Sequence, residues 1–186
     1  MAFLKNRALG LVAAILLFCS LLTGLPGEAL AQPEASESDV KAAFLYNFTK
    51  FVEWPPAAFQ DASSSFRLCV LSDEAFSRSL QAVVEGQEVA GRKLTLLRLG
   101  SSHDSKSCNL LFIGRPEHER IAEILASMAG SRALVVGEST GFLKQGGMIN
   151  FHLQGGKVRF EVNLKAAEGE GLKISSKLLR LATRVL

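Results

Sequence analysis

Apolar and polar residues alternate most regularly between residues 149 and 162. Two runs show this pattern, with the apolar members Ile149, Phe151 and Leu153 in the first and Val158, Phe160 and Val162 in the second. Gly155 and Gly156 separate the runs, a composition typical of a tight β-hairpin turn. With Gln154 opposite Lys157, the facing pairs become Phe151 with Phe160, Ile149 with Val162 and His152 with Arg159. The pattern predicts an antiparallel hairpin with one apolar and one polar face.

Upstream of the hairpin, strand-like and helix-like patterns alternate. Strands are predicted over residues 66–71, 93–99, 109–113 and 133–136, and helices over residues 74–84 and 117–128. Ser72 and Asp73 can cap the first of these helices, and Pro116 suits the first turn of the second. Strands that alternate with helices predict a parallel sheet. The expected fold is therefore a single α/β domain, whose central, largely parallel mixed sheet is flanked by helices and followed by the hairpin and a C-terminal helix.

The first helix of the domain is predicted from Ser36 to about Trp54. Ser36 and Asp39 have the spacing of a capping box, and two prolines after Trp54 forbid further helix. Its apolar face is expected to consist of Val40, Ala43, Phe44, Asn47, Phe48 and Phe51. Asn47 is the one amide on that face, so we expect it to be a core asparagine paired with backbone, with a ligand-binding role as the alternative.

The last element is predicted as a helix from Ile174 to Val185. Its expected buried stripe consists of Ile174, Leu178, Leu181 and Val185. Beside it lie four basic residues at helical spacing, Lys173, Lys177, Arg180 and Arg184. These four residues are the candidate partner-binding residues, because a basic face suits an acidic partner or an anionic bilayer surface. A solvated flank whose cations complement the helix C-terminus is the alternative.

The first 31 residues have the composition of an export signal. Lys5 and Arg7 precede an apolar run over residues 8–25, and Ala29 and Ala31 occupy the positions that a signal peptidase reads. We expect a signal peptide over residues 1–31, cleaved after Ala31, and an exported domain over residues 32–186. The alternative is a retained membrane anchor, because the run approaches the length that spans a bilayer.

Charge and cysteine content narrow the function of the exported domain. Removing Lys5, Arg7 and Glu28 with the signal lowers the net charge from +3 to +2, which argues against a nucleic-acid-binding protein. Cys19 leaves with the signal as well. The remaining pair, Cys69 and Cys108, predicts a disulfide in an oxidising compartment, with two separate buried thiols as the alternative.

Candidate chemistry lies in the loops after the parallel strands, where open α/β sheets bind ligands. These loops span residues 72–74, 114–117 and 137–141, and their composition also suits ordinary helix caps and turns. The three histidines, His103, His118 and His152, lack the spacing of a zinc site. No serine-nucleophile motif is found, and the Gly141 and Gly146 spacing lacks the lysine of a phosphate-binding loop. We therefore predict no catalytic, metal-binding or cofactor-binding residues.

Three blocks of sequence resemble the YfiR family of periplasmic regulators. They are residues 46–55 (YNFTKFVEWP), the hairpin with residues 146–151 (GGMINF) and 158–163 (VRFEVN), and residues 172–179 (LKISSKLL). The resemblance implies a periplasmic, non-enzymatic α/β domain that binds the sensor domain of a membrane diguanylate cyclase, YfiN, and represses it. A lipoprotein of the outer membrane, YfiB, would sequester the repressor and thereby raise cyclic di-GMP and favour biofilm growth.

The resemblance also implies a homodimer and a structural disulfide between Cys69 and Cys108. Some relatives carry a second cysteine pair in the hairpin region, which this sequence lacks. An exported small-ligand sensor that feeds a different membrane protein, such as a histidine kinase, is the alternative function. A hydrolase with an unfamiliar site is a third, which the lack of a nucleophile and base disfavours.

Overall fold

A computed structural model describes residues 35–100 and 102–186, with residues 102–104 described by their backbone alone. The expected signal peptide lies outside the described residues. Within the described part of the chain, no helix is both long enough and apolar enough to cross a membrane.

The described chain folds as alternating helices and strands. The helices are α1 (Glu37–Phe51), α2 (Glu74–Val84), α3 (Ile121–Met128), α4 (Leu164–Gly169) and α5 (Ser176–Leu179). The strands are β1 (Val52–Glu53), β2 (Phe66–Leu71), β3 (Glu88–Val89), β4 (Arg92–Arg98), β5 (Leu110–Ile113), β6 (Leu134–Gly137), β7 (Ile149–Gln154), β8 (Lys157–Val162), β9 (Lys173–Ile174) and β10 (Arg184–Val185). Short 3-10 turns span Pro56–Ala58, Ser102–Ser107, Arg115–Arg120 and Phe142–Gln145.

Eight of the strands form one mixed sheet in the order β10-β8-β7-β6-β5-β2-β4-β3. Its centre, from β4 through β2, β5 and β6 to β7, is parallel. The β7–β8 hairpin is antiparallel and has the predicted register, including Phe151 opposite Phe160 and His152 opposite Arg159. The α/β fold class is therefore confirmed.

Helix α1 covers one face of the sheet through its phenylalanines. The ring of Phe48 lies 5.6 Å from that of Phe151 and 5.2 Å from that of Phe160, between centroids. The predicted capping box of Ser36 and Asp39 is present at the start of the helix. Together these contacts fix both the start of α1 and its position on the hairpin.

The prediction of the buried face of α1 was wrong: the face that is buried in the structure is rotated about the helix axis from the predicted one. Asn47 and Ala43 are exposed, whereas the buried residues are Lys41, Ala42, Leu45, Phe48 and Thr49. The buried face contains a lysine because Lys41 finds carboxylate partners inside the fold, one of them on a distant loop. Asn47 is therefore not a core asparagine.

The predicted helix from Ile174 to Val185 was also wrong. Ile174 belongs to β9, which pairs with β1, and Val185 belongs to β10, which pairs in parallel with β8. Only Ser176–Leu179 between them is helical. Strand partners bind both ends of the segment, so backbone pairing overrides its helical period. Leu181 and Val185 are consequently 63% and 43% exposed rather than buried.

The disulfide between Cys69 and Cys108 is confirmed, with 5.8 Å between the two Cα atoms. Both cysteines are buried. Cys69 lies in the centre of β2, and Cys108 follows the Ser102–Ser107 turn that leads into β5. The bridge therefore ties this turn to the centre of the sheet.

Candidate functional site

The loops selected from the sequence meet at the carboxyl edge of the parallel sheet. Ser72, Gly114 and Glu138 directly follow the neighbouring strands β2, β5 and β6. The backbone N–H of Gly114 donates to the carbonyl of Leu71 at 2.7 Å, and a Cβ built on Gly114 would lie 2.5 Å from the hydroxyl of Ser72. Glycine at position 114 thus lets the two loops pack in contact.

Lys41 of helix α1 joins these loops, although the sequence pattern placed it on the exposed side. Its side chain is almost fully buried and forms ion pairs with Glu37 on its own helix and with Glu138 after β6. Nη2 of Arg115 lies 2.8 Å from Oε1 of Glu37, and the backbone N–H of Arg115 donates to Oε1 of Glu138 at 3.0 Å. Four charged residues from three segments therefore form one network.

The charges of this network balance, with two carboxylates and two cations. The hydrogen bond from Lys41 is the main cause that lowers the pKa of Glu37, with a further contribution from the charge of Arg115. Because each charge has partners on another segment, the network fixes the start of α1 to the sheet. Beside it lies a cavity of about 410 Å³, whose lining includes Ser139, Thr140, Asn150, His152 and Glu161.

The two histidines whose side chains are described, His118 and His152, lie in different segments and have different neighbours. His118 is exposed, and its Nδ1 lies 3.1 Å from the carbonyl of Arg115. Nε2 of His152 lies 3.4 Å from the hydroxyl of Thr183. The side chain of His103 is outside the described residues. Among the side chains that are described, no group of three or more His, Cys, Asp or Glu residues could hold a metal ion.

The four candidate partner-binding residues are all exposed but do not share one helical face. Lys173 lies in β9, Lys177 in α5, Arg180 at the end of α5 and Arg184 in β10. The corrected secondary structure therefore divides the predicted basic stripe into separate positions.

Exposed apolar residues accompany three of these cations, and the sequence reasoning missed them. Leu181, Val185 and Leu186 are 63%, 43% and 40% exposed. We call residues 177–186 the C-terminal surface. Leu153 of the hairpin is also exposed, and its neighbour His152 contacts Thr183 of this surface. Arginine is enriched at protein–protein interfaces, and exposed apolar residues that form a contiguous patch mark such sites.

Comparison with solved structures supports the fold. A conserved domain protein from Vibrio cholerae O1 biovar El Tor strain N16961 matches with a TM-score of 0.56 and 13% sequence identity. The match covers 82% of this chain and 61% of that chain, so this chain spans about three fifths of the length of the Vibrio protein. An ABC domain from Streptococcus pneumoniae matches with a TM-score of 0.46 at 12% identity, over 66% of this chain and 55% of that one, which is too low to add to the assignment.

Comparison with protein families gives the assignment of the chain. The YfiR/HmsC-like family model matches residues 38–183. This range begins in the first turn of α1 and ends just before β10, so it includes the disulfide, the hairpin and three members of the charged network, Lys41, Arg115 and Glu138. The chain belongs to the YfiR/HmsC-like family, a family of periplasmic regulators of cyclic di-GMP signalling.

Proposed function

We propose that this protein is a non-enzymatic periplasmic repressor of a membrane diguanylate cyclase. It binds the periplasmic sensor domain of a cyclase similar to YfiN and thereby lowers cyclic di-GMP. Membership of the YfiR/HmsC-like family over residues 38–183 carries the proposal. The repressor acts by binding one conformational state of the sensor domain more tightly than the other, which shifts the population toward the inactive state.

The C-terminal surface is the part of the molecule that we assign to this contact. Leu181 is the most exposed of the large apolar residues in the described chain. Along the chain, Arg180 directly precedes it, Lys177 lies four residues before it and Arg184 three residues after it. Burial of Leu181 in a partner removes apolar area from water, while the cations select an acidic surface around the apolar contact. The partner therefore presents an apolar pocket with an acidic rim.

The C-terminal surface lies at one end of the sheet. This position suits a repressor that is itself controlled by the binding of a second protein. Strand β10 is the terminal strand on the side of the hairpin, so a partner can approach it without disturbing the parallel centre. A lipoprotein similar to YfiB that binds the same surface would compete with the cyclase and release it. We further propose that the protein works as a homodimer.

A binding measurement tests the proposed surface. Residues 32–186 are titrated with the purified periplasmic domain of a YfiN-like diguanylate cyclase from the same organism. Leu181→Asp and Arg184→Glu are expected to weaken binding by tenfold or more without lowering the thermal midpoint, because both side chains are exposed. Lys93→Glu, exposed in β4 toward the opposite end of the sheet, is the matched control. Equal affinity of all four proteins would show that the partner binds elsewhere.

A further inference from the structure

A second polar cavity lies at the amino edge of the sheet, opposite the charged network. Its volume is about 510 Å³. Three basic residues from separate segments line it: Arg67 at the start of β2, Lys106 in the Ser102–Ser107 turn and Arg132 in the turn before β6. The starts of β2, β5 and β6 are neighbours in the sheet, so the topology brings the three cations to one place.

The charge in this cavity is one-sided. Every described residue that lines it is neutral or basic, and no ion pair with a carboxylate is found for Arg67, Lys106 or Arg132 among the described residues. The nearby Glu170 accepts hydrogen bonds from the backbone N–H groups of Gly130 and Arg132 and lines a different cavity. Like charges that share a cavity repel one another, and an anion bound between them offsets this repulsion.

The walls of the cavity are held in place by structural interactions. The Asn109 side chain is buried, accepts a hydrogen bond from the Arg67 backbone N–H at 2.8 Å and donates to the Ala58 carbonyl at 2.9 Å. Cys108, bonded to Cys69, forms another part of the lining. The backbone of Arg67 and the wall at Cys108, next to Lys106, are therefore fixed by the fold, which lowers the entropic cost of ordering a ligand.

We propose that this cavity binds a small, multiply charged anion, of the phosphate-ester or polycarboxylate class. Three cations that have no carboxylate partner among the described residues favour a ligand with at least two negative charges. Arginine guanidinium groups match phosphate and carboxylate oxygens with paired hydrogen bonds, and Ser65 and Ser131 add hydroxyl groups to the lining. The volume lies within the range that small-molecule sites occupy. This site is independent of the proposed cyclase contact, because its residues lie outside the C-terminal surface.

Binding of two simple anions tests the proposal and separates the two ligand classes. Inorganic phosphate and citrate are each titrated into residues 32–186 by calorimetry and by thermal shift, with sodium chloride holding the ionic strength constant. The variants are Arg67→Gln, Lys106→Gln and Arg132→Gln, and Lys93→Gln is the matched control at an exposed lysine outside the cavity. Lys106 and Arg132 are exposed, so their variants report on binding even if Arg67→Gln unfolds the protein.

We expect saturable binding of at least one anion, with a rise in the thermal midpoint that reaches a plateau. Each of the three cavity variants is expected to weaken this binding by about tenfold, since a hydrogen bond to a charged group contributes that much. Lys93→Gln is expected to bind as the unmodified protein does. A stronger response to phosphate assigns the phosphate-ester class, and a stronger response to citrate the polycarboxylate class. No saturable binding, or binding that all three cavity variants retain, would overturn the proposal.

Discussion

The indole Nε1–H of Trp54 donates a hydrogen bond of 2.8 Å to the main-chain carbonyl of Asn109. The same carbonyl accepts a hydrogen bond from the backbone N–H of Leu134, the first residue of β6. Trp54 also packs edge-on against Phe66, with 4.8 Å between ring centroids. Trp54, the residue directly after β1, is thus fixed to the starts of β2 and β6. These segments meet at Asn109.

Asn109→Ala is expected to destabilise the fold by about 2–6 kcal/mol. The substitution leaves the backbone N–H of Arg67 and the carbonyl of Ala58 without their partner, at about 1–3 kcal/mol for each buried unsatisfied group. Trp54→Phe is expected to cost less, about 1 kcal/mol, because Leu134 still donates to the Asn109 carbonyl. Urea unfolding measures both. Equal costs would contradict the central position assigned to the Asn109 side chain.

Removal of the disulfide is expected to lower stability by about 4 kcal/mol in the chain-entropy model. The bridge closes a loop between residues separated by 39 positions, which restricts the unfolded chain. The double variant Cys69→Ala with Cys108→Ala avoids a free thiol, and its thermal midpoint is compared with that of the unmodified protein. A reductant that fully reduces the bridge should bring the unmodified protein close to the variant. An unchanged midpoint in the variant would mean that the bridge does not constrain the chain.

Acid is expected to weaken the attachment of α1 to the sheet through Glu37. The hydrogen bond from Lys41 holds the pKa of Glu37 below its ordinary value of 4.5. A carboxyl whose pKa is lower in the folded state stabilises the fold above its unfolded pKa, and this contribution disappears as the pH falls through the folded value. Glu37→Gln should therefore be less stable than the unmodified protein at neutral pH.

The measurement is urea unfolding at a series of pH values from neutral downward. The stability difference between the unmodified protein and Glu37→Gln should shrink as the pH falls below about 4.5 and through the folded pKa. Glu85→Gln, which removes an exposed carboxylate after α2, is the matched control. If the stability difference between Glu37→Gln and the unmodified protein stays constant with pH, the lowered pKa of Glu37 is contradicted.

Gly147→Ala is expected to destabilise the core by more than about 1–3 kcal/mol, the usual cost of overpacking. A Cβ at position 147 would lie 2.1 Å from the ring of Phe142, which is fully buried. Gly169→Ala, where a Cβ meets nothing within 4 Å, is the matched control and should leave stability nearly unchanged. Thermal unfolding distinguishes the two. Similar midpoints would show that the Phe142 ring can move aside at little cost.

The elements predicted best from the sequence are those whose signals are local. The hairpin register follows from alternation on two adjacent runs, and α2 follows from its cap and its apolar period. Residues 174–185 show the opposite case, because their helical period is present but Phe51 and Phe160 supply backbone partners from far along the chain. Pairing between distant residues is not encoded in local periodicity, so the sequence could not reveal it.

The candidate sites show the same division. The strand-end loops could be selected because parallel strands place their carboxyl ends together. The place of Lys41 in the charged network could not be predicted, because a lysine on a helix usually faces water. Its burial is explained by its contact with Glu138, which lies on a distant loop. The apolar exposure of Leu181 was missed for a related reason: it depends on the loss of helix after Leu179.

Cyclic di-GMP in cells tests the repressor function most directly. A strain that carries the cognate cyclase and lacks this protein is complemented with the unmodified protein, with Leu181→Asp or with Lys93→Glu, at matched periplasmic abundance. Complementation by the unmodified protein and by Lys93→Glu is expected to lower cyclic di-GMP, while Leu181→Asp leaves it high. Cyclic di-GMP that is unaffected by the unmodified protein would contradict repression itself, and full repression by Leu181→Asp would contradict the C-terminal surface as the contact.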